Sequence, residues 1–162
     1  MCAHIGGQYN SKPTEETKKL VDKFISYGVN AVIGNHEHVI HNCDLKQINN
    51  NIIKTYSLGN FSGLAGVLKA PYDKLAEYSI IFNMYMKRNK EKINVYKCTF
   101  SIAKSVCIGK DKIKTVLLYD LINKCENKIE KEKLIDENLK IYNLFLNKKC
   151  ERIDISKEYN IN

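Results

Sequence analysis

Four histidines stand in a chain of 162 residues, and all fall within the first 41 positions: His4, His36, His38 and His41. His36 and His38 are separated by one residue, so on an extended segment their rings point to the same side. Two neutral imidazoles so placed can ligate one divalent ion, or one each of two neighbouring ions. The competing reading is a pair of exposed loop histidines. Position favours the metal. The pair follows Ala31-Val32-Ile33-Gly34, a short apolar run that reads as a buried strand feeding a loop. Open α/β sheets bind ligands in the crevice beyond the carboxyl ends of their strands. His4 ends a second apolar segment, Met1 to Ile5. Alone it would be a structural histidine. If the two strands are neighbours, three imidazoles converge.

The elements that must position these side chains follow from periodicity. Gly6, Gly7 and Asn10 mark a loop after the first strand. Thr14 is an N-cap with Glu15 and Glu16 in the first turn, where the helix dipole favours acids. Thr17, Leu20, Val21, Phe24 and Ile25 follow as the apolar face of an amphipathic helix, and Gly28 closes it. Strand, helix and strand in that order predict a parallel or mixed sheet. Asn49-Asn50-Asn51 reads as a turn between extended segments at 39–48 and 52–58, and 59–66 as a glycine-bearing loop. The second half changes character. Residues 77–87, 93–108 and 113–119 are rich in β-branched and aromatic side chains and predict an antiparallel meander. Residues 129–147 return to helical spacing, with Leu134, Ile135, Ile141, Tyr142 and Phe145 on one side. A weak boundary near 65–76 divides the chain into segments 1–66 and 67–162, the second completing or flanking the first.

Composition narrows the functional classes. The 44% hydrophobic and 27% charged residues are those of a folded globular chain. No apolar run reaches the ~18–20 residues of a membrane helix, and no signal-peptide pattern stands at the N-terminus. The chain by itself reads as soluble and cytoplasmic. The net charge is +8, from 26 basic and 18 acidic side chains. The bases are 24 Lys and only two Arg, Arg88 and Arg152, which disfavours nucleic acid, where Arg is the preferred reader of phosphates and bases. Lys, Asn and Ile together supply 62 residues, a general bias more than a designed patch. None of the six cysteines forms a Cys-x-x-Cys pair, so a zinc ribbon is not expected and free thiols are.

Gly34-Asn35-His36-Glu37 spells a tetrapeptide of calcineurin-like metallophosphoesterases, but no histidine follows His41 to supply that family's later ligands. A different register fits better. His4-Ile5-Gly6-Gly7-Gln8-Tyr9-Asn10 with Pro13 resembles the His-x-Gly-x-Glu-Tyr segment of the CapA (PgsA) capsule-synthesis family. Tyr27-Gly28-Val29-Asn30-Ala31-Val32-Ile33-Gly34 resembles the family's next strand, and His36-Glu37-His38-Val39 its His-x-His-Val motif. Tyr56-Ser57-Leu58-Gly59-Asn60-Phe61 repeats its Tyr-Ser-Leu-Gly-Asn-Phe letter for letter. The motifs agree in order and spacing over residues 4–61. Gln8 replaces the usual Glu, Asn35 a common His, Glu37 a common Pro, and His41 a common Gln.

The resemblance implies a partial metallophosphatase-like (calcineurin-like) layered α/β sandwich, with a C-terminal antiparallel meander and a terminal helix. It implies His4, His36 and His38 as ligands of a divalent metal (Mn, Zn or Fe, with two ions in a complete protein). Asn60 would be an orienting group at the site, against an ordinary turn Asn. Tyr9 would donate to a bound anion, against a packed tyrosine. The implied function is capsule (poly-gamma-glutamate) biosynthesis with a phosphoesterase-like, hydrolytic site. Its partner would be an acidic polymer or a small phosphorylated substrate. The alternative is a non-catalytic basic module that binds an acidic polymer. The family's earlier Gly-Asp, Asn-x-Glu and Asn-Asn-His motifs have no counterpart ahead of His4, so the resemblance implies that this chain is the C-terminal half of a member. Activity, and any membrane anchor, would then depend on the other half. Three imidazoles without carboxylates bridge two divalent ions poorly, because the charge is left unbalanced.

Overall fold

The computed structural model describes residues 1–44, 52–62, 75–90, 92–109 and 112–161. The turn expected at Asn49–Asn51 and most of the expected boundary lie outside the described residues.

The first sheet holds the histidines. Strands β1 (Cys2–His4) and β2 (Ala31–Asn35) pair in parallel, with His4 opposite Asn35. Strand β4 (Ile53–Thr55) runs parallel to the far side of β2, and β3 (Cys43–Asp44) pairs antiparallel to β4. The order is β1-β2-β4-β3. Helix α1 (Glu15–Ser26) carries the chain from β1 to β2. It starts where expected: Thr14 Oγ1 accepts the Thr17 N–H at 3.2 Å. It ends at Tyr27, and Gly28 at φ 91° turns the chain out of the helix. Thr17 and Val21 are buried, and Val21 packs with Ala3, Val32 and Tyr56. Leu20, expected on that face, is 39% exposed, because it sits at the margin of a stripe centred on Thr17, Val21 and Phe24.

The second sheet is the expected meander. Strands β5 (Tyr78–Asn89), β6 (Lys92–Cys107) and β7 (Ile113–Leu117) pair antiparallel in order. A short helix, the helix expected at 129–147 and an unexpected strand follow. Residues Leu118–Lys124 form helix α2 where the third strand was expected to continue to 119. Leu118 and Ile122, four apart, are both buried on one side of it. Helix α3 (Lys128–Leu146) is capped by Asn127, whose Oδ1 accepts the Glu130 N–H at 3.0 Å. It is not the terminal element, as had been expected. The chain returns as strand β8 (Tyr159–Asn160), paired to Thr99 and Phe100 of β6. Tyr159 has a reason to be there: its hydroxyl accepts from the buried Asn138 amide at 2.8 Å.

The two sheets are stitched at one seam. Ile80 N–H donates to Leu58 O at 2.8 Å, and Asn60 N–H to Tyr78 O at 3.2 Å. Gly59 makes the crossing possible, since a Cβ there would lie 2.5 Å from Tyr78 O. The main core lies on the face of the first sheet away from α1. There Ile40, Cys43 and Ile53 meet Tyr78, Phe100, Ile102, Ile141 and Phe145. Cys43 donates to the Phe145 carbonyl at 3.1 Å, and burial pushes its thiol up to about 12. All six cysteines are free. A half-buried network braces α3 against the second sheet. Lys104 Nζ reaches the Tyr78 hydroxyl at 2.7 Å, Glu77 at 3.2 Å and Glu137 at 3.4 Å. Tyr78 donates its proton to Glu137, and burial together with that carboxylate raises the phenol well above its ordinary range.

Phe145 is fully buried, with ring centroids 4.9 Å from Phe100 and 6.4 Å from Phe82. Phe145→Ala is expected to cost about 3–5 kcal/mol, by lost transfer energy plus the cavity left behind. Ile129→Ser, at an 81% exposed position, should stay within about 0.5 kcal/mol. Urea unfolding of both variants checks this.

Candidate metal centre

The parallel register of β1 and β2 decides the site. It sets the end of one strand beside the end of the other, and the rings of His4 and His36 lie 4.1 Å apart at 49°. His36 and His38 are 6.1 Å apart. The three imidazoles that the sequence singled out are therefore brought together. The reason given for His36 and His38 needs correction. They do not share a side of an extended segment, because β2 ends at Asn35. The backbone then turns through φ 154° at His36 and φ 60° at His38. These angles are sparsely populated by residues with a side chain, and such outliers gather at sites where geometry is held by surroundings. Gly34 admits the turn: a Cβ on it would lie 2.4 Å from the Tyr56 carbonyl.

Asn60 is buried and makes three side-chain bonds. Its Nδ2 donates to His38 O at 2.9 Å and to Ala76 O at 2.8 Å. Two carbonyls on one side fix the amide's orientation, since a carbonyl can only accept. Its Oδ1 then faces His38 Nδ1 at 2.7 Å, so Nδ1 carries the proton. In the neutral ring, Nε2 of His38 is left as the lone-pair nitrogen. This is how a metal-ligating imidazole is usually held, with the far nitrogen donating to a fixed acceptor. Tyr9 stacks on the same ring, at 5.4 Å and 27°. It too has positive φ, at 60°.

His41 does not join the cluster in this way. It is 1% exposed, and its Nε2 donates to the Asn10 carbonyl at 2.7 Å. It anchors the loop from beneath. Asn35, at the end of β2, accepts from Ser57 Oγ at 3.1 Å. The sequence marked Glu37 only as a departure from a familiar pattern. Here its side chain is fully buried, and Oε1 accepts the Gly7 N–H at 3.0 Å. The signal was its place between two histidines, on the opposite side of the chain.

Three imidazole nitrogens are a donor set of the kind zinc or a similar borderline ion takes. As arranged here, no group of three or more His, Cys, Asp or Glu side chains among the described residues is placed to hold a metal ion.

Fold and site together define a mixed α/β protein with a histidine cluster at the ends of adjacent parallel strands. The family comparison is more particular: residues 1–63 match the model of the bacterial capsule synthesis protein PGA_cap. That segment contains every residue of the cluster, and the match supports the resemblance to the CapA family. No curated protein and no solved structure matches the chain.

Removing the Asn60 amide leaves two carbonyls and the His38 Nδ1 proton without partners. Asn60→Ala should therefore cost about 1–3 kcal/mol in chemical denaturation. It should also release the His38 ring, which nitrogen NMR would read as a mixture of tautomers in place of one.

Proposed function

We propose that this chain serves in bacterial capsule synthesis through a divalent-metal, phosphoesterase-like site in which His4, His36 and His38 are the ligands. The observation that carries this reading is His38, whose Nδ1 proton is held by a buried Asn60 so that Nε2 is free to ligate. The match of residues 1–63 to a capsule synthesis family supplies the biological setting. His36 stands between the other two rings, 4.1 Å from His4 and 6.1 Å from His38. A divalent ion there would polarise a phosphoryl oxygen and lower the pKa of a bound water. Asn60 holds the His38 ring in place, and Tyr9, stacked on that ring, is the residue assigned to face an anionic substrate. Within the metallophosphatase-like architecture proposed here, a second ion would need carboxylates contributed from outside these residues. Titration with Co2+, followed by its visible absorption, tests the ligand set. One ion per chain is expected, with at least about tenfold weaker binding in His36→Ala and His38→Ala. No saturable binding by the unaltered chain would sink the reading.

One observation favours a second role. A cleft of about 710 Å3 is lined by Lys12, Lys18 and Lys148 against one acid, Asp44, and an adjoining one by Lys12, Lys140, Lys148 and Lys149 against one acid, Glu151. Both lie between the loop that follows Tyr9 and the end of α3. A concentration of ammonium groups there suits an acidic polymer, held loosely by point charges. Retention on immobilised polyglutamate should fall steeply between about 0.05 and 0.3 M salt, as the screening length shortens. It should weaken in Lys12→Gln/Lys148→Gln. Salt-independent retention would count against this role.

A further inference from the structure

Glu37 is the one carboxylate inside the histidine cluster's own turn, and nothing above assigns it a task beyond burial. Its side chain is 0% exposed. Two bonds tie it to the loop that follows β1. Oε1 accepts the Gly7 N–H at 3.0 Å, and its main-chain oxygen accepts the Tyr9 N–H at 2.8 Å. The fit is close. A Cβ built on Gly6 would fall 2.1 Å from Oε1, and Gly6 itself stands at φ 100°. A side chain at position 6 would therefore displace the carboxylate or the loop. Oε2 is buried with no hydrogen-bond partner, and no lysine, arginine or histidine pairs with Glu37 among the described residues.

One consequence follows from elementary chemistry. A loop tied to Glu37 at Gly7 and Tyr9 keeps the Tyr9 ring on the His38 ring.

We propose that Glu37 is a positioning residue of the histidine site: its carboxylate holds the Gly6–Tyr9 loop so that Tyr9 lies against His38. Its side chain is fully buried, whereas His36 and His38 are partly exposed. The assignment does not depend on a bound metal.

The experiment uses the whole chain with Glu37→Ala, Glu37→Gln and Gly6→Ala. Circular dichroism and a urea midpoint first establish that each variant folds. Amide exchange at Gly7 and Tyr9, with the ring-current shift that Tyr9 imposes on the His38 protons, reads the loop without any metal. Glu37→Ala and Gly6→Ala should lose both signals, while Glu37→Gln, which keeps an acceptor oxygen, should restore them. Both signals unchanged in folded Glu37→Ala would overturn the loop assignment. These signals are read without metal, so their outcome is independent of whether the unaltered chain binds Co2+, and failure of the metal reading leaves the loop assignment to be decided by them alone.

Discussion

The side chain of Asn60 holds together parts of the molecule that are distant in sequence. It comes from the segment after β4, donates to the carbonyl of His38 in the turn after β2, and donates again to Ala76 just before β5. Buried amides must be satisfied, and this one can be satisfied only if the first sheet, the histidine turn and the start of the second sheet meet at one point. The same seam carries the backbone bonds of Leu58 and Asn60 to β5. Beyond it, the Tyr78, Lys104 and Glu137 network brings in α3. The second half of the chain thereby braces the histidine site, and none of its described residues contributes a side chain to the cluster.

Around that point the site is built from departures from regular structure. His36, His38 and Tyr9 all adopt positive φ, where the rest of the first sheet is ordinary. Two of these departures have a hydrogen bond to hold them: His38 bonds Asn60, and the Tyr9 N–H donates to the Glu37 carbonyl. The glycines at 6 and 34 are required by closeness, since a Cβ at either would lie within 2.4 Å of an oxygen. The His38 ring is thereby fixed in orientation.

Much of the fold was legible because it rests on local rules. Thr14, the acids after it and the spacing through Val21 and Phe24 describe α1 to within a residue or two, since capping and periodicity act over a single turn. The meander was legible for the same reason, from alternation and turn residues. Helix α2 and strand β8 were not. Leu118 and Ile122 make a helix only because both are covered by the core, and Tyr159 makes a strand only because Asn138 and β6 receive it. At the site, residue type, spacing and position marked His4, His36 and His38, and the family resemblance marked Tyr9 and Asn60. They could not mark how Asn60 is oriented, or that Glu37 lies beneath the loop, because both are contacts between segments brought together only by folding.

What the sequence by itself determined is therefore the inventory and the order of parts: which donors are present, which strand ends carry them, and which family pattern they follow over residues 1–63. What only the tertiary structure decided is their geometry. The parallel register of β1 and β2 sets His4 beside His36, and a buried amide chooses which nitrogen of His38 keeps its proton. The physical reason is range. Propensity, capping and periodicity act between residues a turn apart, whereas burial and hydrogen-bond satisfaction act between whatever the fold makes adjacent.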